Sequence, residues 1–397
     1  IDELAAQVAA LQTENAALSA RVAELEAKRQ QPPKTPDNSS TPPARGQKGN
    51  RPAKVKREGP RAGRLGRHGG GRRLAHEPDQ FVTAKPAHCR HCGTPFGPGL
   101  VCTALSLRHV HAISYQLLTR LFRDLFAIAV SEGALDSLFR RAKRHFDREV
   151  AAILARLRRS RVICPDEPAV RIAGRTCWNW GFQNAAVVIP VIRPTRAAAV
   201  VNEGLDGHRP AIWVSDLYGG QRGHADGWQV CLAHQLRDCP YAIAAGDAVC
   251  APRMKVLLLR APGLRRGRLV LARRRHDLAA STRREPRRRR DRDRDTIMAL
   301  ASGNRHGKRL RKRCAKVRGH LFTFLKHPEV PPDNNSSERE LRPTATDRKV
   351  TGGFRSDWGA DLFAGIKSVL GTAARHDLDA DQAIRQTLRG HSILDPG

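Results

Sequence analysis

Three acidic residues stand in settings that suit metal-dependent chemistry. Asp166 follows one apolar run and Asp216 closes another, so each should lie at the end of a buried strand, beside solvent. Glu338 lies much further along, in the polar segment 332–342. Carboxylates that meet at one place can hold two divalent ions about 4 Å apart and promote in-line attack at phosphorus. Mg²⁺ in particular prefers oxygen ligands. The three residues therefore predict a site for phosphoryl transfer.

Each of these acids also has a purely structural interpretation. Asp166 could cap a turn, and Glu167 could serve in its place. Asp216 could be the N-cap of the segment that follows it, and Glu338 fits a capping box that begins at Asn335. For any one of these acids considered alone, a structural role is a sufficient explanation. Their joint occurrence in a basic chain favours the chemical one.

The charge of the chain indicates what would carry that phosphorus. Of 397 residues, 71 are Lys or Arg and 38 are Asp or Glu, which gives a formal net charge of +33. Such an excess attracts polyanions, and nucleic acid is the commonest of these. A GC-rich genome would also raise the arginine content. The basic residues occur in clusters, however, and clustering favours a nucleic-acid partner.

The nine cysteines indicate the compartment. Several of them lie in apolar, strand-like runs, as reduced and buried cysteines do. No apolar run is long enough to span a bilayer. We therefore expect a cytoplasmic protein with no membrane partner.

Residues 1–29 carry a heptad pattern. β-branched residues and one Asn recur at the first core position, and Leu recurs at the second. Asn15 at such a position favours a parallel dimer with a fixed register. The alternative is a single amphipathic helix packed on its own chain, but the strict spacing favours a coiled-coil homodimer. The pattern consists of Ile1, Leu4, Val8, Leu11, Asn15, Leu18, Val22 and Leu25.

Residues 30–80 are rich in Pro, Gly and basic side chains and cannot build a core. Between Lys34 and Arg73 there are twelve basic residues and two acidic ones. We expect a disordered cationic arm that contacts DNA, with a plain solvated linker as the alternative. The arm residues that we assign to DNA are Arg45, Lys48, Arg64, Arg67, Arg72 and Arg73.

Cys89 and Cys92 form a CxxC pair within the segment 81–102. The pair is similar to half of a zinc ribbon, and Gly93 occupies the usual knuckle position. A closed zinc site needs four ligands, and no second CxxC follows. The segment predicts a degenerate knuckle, for which Zn²⁺ is a doubtful cofactor.

The region 103–160 is predicted to be helical. Apolar residues recur there at helical spacing, and Ser131 restarts the pattern as an N-cap. Two helices with a short break could form a DNA-binding helix-turn-helix or a plain helical connector, and the sequence leaves both interpretations open.

From Val162 onward the pattern changes to strands rich in Val, Ile and Trp. Acids on the first and fourth strands match a ribonuclease-H-like layout. We predict an α/β core over 161–375 with a mixed sheet, flanking helices and a helical insertion at about 217–332, followed by a C-terminal tail, 376–397. The predicted strands are 162–172, 175–183, 185–192 and 210–215, with a helix at 195–205.

These features together resemble the insertion-sequence-66 family of transposases, within the DDE transposase superfamily. The resemblance covers nearly the whole chain. It rests on the N-terminal heptads, the knuckle, and the motifs at 34–40, 45–48, 166–167, 213–218, 231–234 and 333–339, with Arg342-Pro343 and Arg348-Lys349 beyond.

The resemblance implies two Mg²⁺ or Mn²⁺ ions bound by Asp166, Asp216 and Glu338. It implies cleavage and joining of transposon ends, so the partners would be transposon-end and target DNA, with helper proteins of the same element. It also implies a bacterial, nucleoid-associated protein. The basic residues of the last motifs that we assign to DNA are Arg339, Arg342, Arg348 and Lys349.

Two features depart from the family pattern. Cys92 runs almost directly into the Gly-Pro-Gly stretch 97–99, as if a segment with a second CxxC were deleted. Pro286 interrupts 283–294, which should be a helix of the insertion, and a proline in a helix interior costs about 3 kcal/mol.

Cys231 and His234 could be two zinc ligands, because they are three residues apart. No other ligand pair is evident, so packing near the site is the favoured interpretation. Cys231 would be buried, and His234 would bond a carboxylate or approach a DNA phosphate.

The sequence therefore predicts a DDE transposase that cuts and joins insertion-sequence ends. Two alternatives are open. The chain could be a catalytically inactive, DNA-binding remnant of such an enzyme, or a ribonuclease-H-like nuclease that cleaves without strand transfer.

Overall fold

The computed structural model describes residues 2–29, 31–32, 97–273, 280–301 and 304–394. Apart from 31–32, the predicted basic arm lies outside the described residues, as do Cys89 and Cys92. The described helices are α1 (Asp2–Arg29), α2 (Pro98–His109), α3 (Tyr115–Phe126), α4 (Glu132–Leu157), α5 (Ala199–Leu205), α6 (Leu232–Ala244), α7 (Cys250–Arg273), α8 (Ala280–Ala299), α9 (Arg305–Lys316), α10 (Asn335–Thr351), α11 (Asp357–Ala373) and α12 (Ala380–Arg389). The strands are β1 (Val162–Asp166), β2 (Ala169–Ile172), β3 (Arg175–Gln183), β4 (Val188–Arg193), β5 (Ile212–Ser215) and β6 (Gly227–Val230).

One mixed sheet organises the molecule. β4 pairs with one edge of β3, while β1 and β2 pair in succession with the other edge, all antiparallel. On its far side β1 pairs with β5, and β5 pairs with β6, both in parallel. Across the sheet the order is therefore β4, β3, β1 with β2, β5 and β6. The carboxyl ends of β1 and β5 consequently point the same way.

The first predicted strand, 162–172, is two strands in the structure. The ladder breaks at Glu167 and Pro168, between β1 and β2. Pro168 has no N–H to donate, although its carbonyl still accepts a bond from the Asn179 N–H at 2.9 Å. The break allows the chain to turn directly after Asp166.

The prediction that 217–332 is a helical insertion is wrong at its start, because β6 belongs to the sheet. β6 has only four residues and begins with a glycine, so no alternating pattern marked it. Helices α6 to α9 follow it. They form a second apolar core with β5 and β6, centred on residues such as Val214, Met254 and Phe322.

The prediction that Pro286 breaks its helix is also wrong. α8 continues from Ala280 to Ala299 and includes Pro286. Prolines also lie inside α6, α7 and α10. In α8 the packing of Ile297 and Arg294, 9% and 4% exposed, offsets the lost backbone bond.

The other face of the sheet carries the larger core. α4 and α11 pack against β4, and α12 packs against α2 and α11. The predicted two-helix region contains three helices, since α2 starts at Pro98, and Ser131 caps α4 by accepting a bond from Ala134 N. The predicted C-terminal tail is wrong as well, because Ala383 and Ile384 bury α12 in this core.

No helix in the described segments has the length and apolar character needed to cross a membrane.

Candidate active site

Two neighbouring parallel strands bring Asp166 and Asp216 to the same edge of the sheet. Val162 of β1 is in register with Ile212 of β5. Asp166 and Asp216 each come four residues later, so the register carries them to adjacent positions where the two strands end. Asp166 is the last residue of β1, and Asp216 directly follows β5. The predicted pairing of these acids at strand ends agrees with this geometry.

A buried polar network docks the start of α10 onto β1, and this contact positions Glu338. Asn334 Nδ2 donates to the Pro165 carbonyl at 2.5 Å, and Ser337 Oγ donates to the Cys164 carbonyl at 2.9 Å. Gln183 Nε2 on β3 donates to Ser337 Oγ at 2.6 Å. Glu338 therefore lies in the first turn of a helix whose end is fixed to the strand that carries Asp166.

A close approach between α10 and β3 supports the same docking. A Cβ built on Gly181 would lie 2.9 Å from a Leu341 methyl group, so any side chain at that position would clash with the Leu341 side chain. The predicted capping box from Asn335 to Glu338 is wrong. α10 has Asn334 at its N-cap and no side-chain cap bond, because the side chains of this segment bond to the sheet instead.

Glu338 faces two side chains of α6. Arg237 Nη2 lies 3.3 Å from Glu338 Oε2, and His234 Nε2 lies 3.7 Å from Glu338 Oε1. Burial lowers the pKa of His234, while the charges of Asp216 and Glu338 oppose that shift. The expectation that His234 lies beside a carboxylate agrees with this position.

Cys231 supports the packing interpretation over the zinc one. It is fully buried, and its sulfur accepts a bond from the Asn334 N–H at 3.2 Å. Burial raises the pKa of the Cys231 thiol to about 12, so the thiol is protonated at neutral pH.

The acids at the strand ends repel one another. Burial raises the pKa of Asp166 well above its usual range, and the charges of Glu167, Glu338 and Asp216 raise it further. The other three carboxyl groups therefore lie within electrostatic reach of Asp166. A cation among them would relieve this repulsion.

Glu167 belongs to a different hydrogen-bond network from that of Asp166. Its carboxylate is bound by the Arg196 guanidinium and by the Gln221 amide. Burial and the charge of Asp216 raise the pKa of Glu167 to about 7, although Arg196 opposes the shift. In this arrangement the Glu167 carboxylate is engaged by Arg196 and Gln221.

The same network holds the loop that follows Asp216. The Arg196 guanidinium stacks on the Tyr218 ring at 3.7 Å, and the Tyr218 hydroxyl donates to the Arg196 carbonyl at 2.8 Å. The Tyr218 N–H donates to Asp216 Oδ1 at 2.8 Å. Sequence patterns did not single out Arg196, because nothing local to it indicates a partner on another loop.

The carboxylate oxygens are the kind of ligand that a hard divalent cation prefers, but in this structure they do not converge on one point. Within the part of the chain that the structure describes, no three His, Cys, Asp or Glu side chains are arranged to hold a metal ion. Asp166 Oδ1 accepts the Glu167 N–H at 3.0 Å, so Asp166, like Asp216, is held in a local turn. The carboxylate oxygens are suitable ligands for such an ion, and a cation would reduce the repulsion between them. In their present positions the side chains do not surround a single metal-binding point.

The predicted DNA contacts divide into two groups. Arg339 and Arg342 are exposed on α10, next to Glu338, whereas Arg348 is half-buried and Lys349 belongs to the last turn of the same helix. The other six lie outside the described residues: Arg45, Lys48, Arg64, Arg67, Arg72 and Arg73.

A comparison with known protein families identifies the family of the chain. A family model described as "Transposase IS66 family" matches residues 93–362, which is more than half of the chain. The matched class is therefore that of transposases, proteins that bind DNA and move insertion sequences. The chain belongs to the transposase IS66 family. No curated protein matches the sequence.

Proposed function

We propose that this chain is a metal-dependent DNA transposase that cleaves insertion-sequence ends and joins them to target DNA. The observation that carries the proposal is the meeting of β1, β5 and α10. It brings Asp166, Asp216 and Glu338 to one edge of the sheet. Family membership supports transposition in general, and the three carboxylates supply its chemistry.

The core is, in this proposal, ribonuclease-H-like. The sheet order supports it: three antiparallel strands continue into two parallel ones, and acids follow the central strand and its parallel neighbour. Helices α6 to α9 form an insertion between β6 and α10.

Asp166, Asp216 and Glu338 would hold two Mg²⁺ or Mn²⁺ ions. Bound there, such ions supply activation of the attacking oxygen and stabilisation of the leaving oxygen at phosphorus. Asp166 and Asp216 would bind from the rigid strand ends, and Glu338 from the docked turn of α10. Arg237 and His234 now hold the Glu338 carboxylate, so Glu338 must turn from Arg237 toward the other two acids. In this proposal, the three carboxylates converge on the metal ions only after Glu338 has turned.

DNA would reach this site over basic surfaces. We assign Arg339 and Arg342, and beyond them Arg348 and Lys349, to the DNA near the cleaved bond. The arm at 30–80 would hold DNA by its phosphates, and 103–160 would carry any sequence preference. Helper proteins of the element would act with the chain in the bacterial cytoplasm, at the nucleoid. The knuckle at 81–102 lacks a complete zinc ligand set.

Dimerisation through α1 is a further part of the proposal. The core positions Leu11, Leu18, Val22 and Leu25 are 65, 58, 53 and 51% exposed. A 28-residue helix with an exposed apolar stripe gains most by pairing with a second copy.

Two observations favour a second candidate, a catalytically inactive DNA-binding remnant. The described residues contain no gathered metal ligand set, and a segment after Cys92 departs from the family pattern. The third candidate, a nuclease, would cleave without joining.

A strand-transfer assay with the element's terminal repeats separates these candidates. The purified chain, Mn²⁺ and labelled end DNA should yield both nicked ends and joined target. Cleavage without joining would indicate a nuclease, and neither product would indicate the remnant.

The variant Asp216→Asn should lose both products while its DNA affinity stays near normal, because one carboxylate changes little on a basic surface. The matched control is Asp226→Asn. Asp226 is 72% exposed and pairs with Arg209, so its loss should leave both products intact. Retained cleavage by the Asp216 variant would overturn the assignment.

A further inference from the structure

Helix α9 has the highest density of basic residues among the described helices of the insertion. Its twelve residues include seven Lys or Arg and no acid. Gly307, Leu310 and Cys314 are buried and fix one face of α9 to the second core. The opposite face presents a stripe at intervals of four, three and four residues, which helical geometry aligns. The α9 stripe consists of Arg305, Arg309, Lys312 and Lys316, all exposed.

The charge of the α9 stripe is not neutralised by the protein. None of its four residues forms an ion pair with a carboxylate anywhere in the described ranges. By contrast, Arg313, on the flank of the same helix, pairs with Asp238 of α6. Long cationic side chains aligned on one face without acids form a surface for a polyanion.

The basic run of α8 is arranged differently. Arg290 pairs with Asp293 at 2.8 Å. Arg294 is 4% exposed and pairs with Asp291 at 2.5 Å and with Asp295 at 2.8 Å. Interleaved acids therefore use part of the α8 charge to hold the insertion together, whereas α9 directs its charge to solvent.

The α9 stripe lies one helix away from the candidate active site. α9 packs on α6, and the Arg313–Asp238 pair joins the two helices. Arg237, the neighbour of Asp238, contacts Glu338 at 3.3 Å. A duplex that enters the site can therefore continue along α9.

The dimensions suit a DNA backbone. The eleven-residue separation of Arg305 and Lys316 corresponds to about 16 Å at 1.5 Å per residue, which is about five base pairs at 3.4 Å each. Flexible Lys and Arg tips on a helix that stays packed in the core reach phosphates more readily than base edges.

We propose that the α9 stripe holds the phosphate backbone of the duplex that flanks the cleaved bond. This inference rests on the proposed function, because that function supplies the DNA. The stripe adds affinity that is independent of sequence and holds the flank in line with the strand ends of β1 and β5.

The test compares two triple variants of the full chain. Arg309→Gln, Lys312→Gln and Lys316→Gln remove three charges from the α9 stripe, and Gln keeps a helix propensity close to that of Lys and Arg. The matched control is Arg175→Gln, Arg385→Gln and Arg389→Gln. These three residues are also exposed, and they lie outside α9 and outside every segment assigned to DNA.

Binding of a fluorescent DNA duplex is measured by anisotropy in EDTA over a series of salt concentrations. Three lost phosphate contacts should make the slope of log affinity against log salt shallower by about 2.7, and weaken binding at least about tenfold at 0.1 M salt. The control triple should keep the wild-type slope. The proposal would be overturned if both triple variants changed the slope equally. It would also be overturned if the α9 variant changed the slope for an RNA duplex but not for the DNA duplex.

A second measurement uses the wild-type chain. Lys312 and Lys316 should be protected from acetylation when the duplex is bound, and equal labelling with and without DNA would contradict the proposal. Both measurements are independent of catalysis. A chain that binds in this way but never cleaves would refute the proposed function and leave the α9 interface standing.

Discussion

Removing the hydroxyl of Ser337 tests the contact that docks α10 on the sheet. Ser337 is 2% exposed, donates to the Cys164 carbonyl at 2.9 Å and accepts from Gln183 Nε2 at 2.6 Å. Ser337→Ala removes one hydrogen-bond partner from the buried Cys164 carbonyl and one from the buried Gln183 amide. Each such loss costs about 1–3 kcal/mol, and Gln183 keeps a 3.2 Å contact with Ser336 Oγ. We expect a total loss of about 2–4 kcal/mol.

Urea unfolding followed by tryptophan fluorescence measures this loss, because Trp180 and Trp213 are buried in the core beside β1. The matched control is Ser336→Ala in the same turn. Ser336 is half-buried and makes the longer contact, so its loss should cost less than about 1 kcal/mol. The Ser337 variant should also lose transposition in proportion to the displacement of Glu338. Equal unfolding free energies for the two variants would refute the docking argument.

Three further predictions concern other parts of the chain. Deleting residues 1–29 should yield a smaller species by light scattering, since the dimer contact is lost, and an unchanged mass would count against the coiled coil. Deleting 34–73 should weaken binding to terminal-repeat and random duplexes alike and flatten the salt dependence, because twelve basic residues are lost. Lost discrimination with an unchanged salt slope would instead make that arm a specificity element. Burial lowers the pKa of His109 well below its usual range. As the pH falls, His109 is therefore protonated in the unfolded chain before it is protonated in the folded chain. Stability should therefore fall below about pH 6.5 by up to about 1.4 kcal/mol per pH unit, and His109→Gln should flatten that slope in urea unfolding. Identical slopes for wild type and variant would contradict the assignment.

The local sequence pattern was sufficient to predict much of the sheet. The strand Arg175–Gln183 has the bounds that its sequence predicted, because a long run of β-formers between turns is unambiguous. The same kind of pattern placed Asp216 at a strand end, whereas the predicted strand 162–172 ran past Asp166, where β1 ends.

Tertiary contacts decided what the pattern missed. β6 is a strand because Trp213 and Val214 offer it a parallel edge, not because its four residues favour one. The pairing of Glu167 with Arg196 and Gln221 joins three loops that are far apart in sequence, so no spacing could indicate it.

The polar segment before Glu338 shows the same limit. Its Asn and Ser residues are typical of a helix cap, and in the structure they bond to the backbone of β1. A sequence lists the donors and acceptors of such a segment, but their partners depend on which strand lies beneath it.

The most direct test of the central claim is the anomalous signal of Mn²⁺ in a structure of the chain bound to its end DNA. The account predicts ions at about 2.1 Å from oxygens of Asp166 and Asp216, with Glu338 turned from Arg237 to complete the site. Mn²⁺ bound elsewhere, with Glu338 still on Arg237 and DNA present, would contradict the assignment of these three residues as the metal-binding acids.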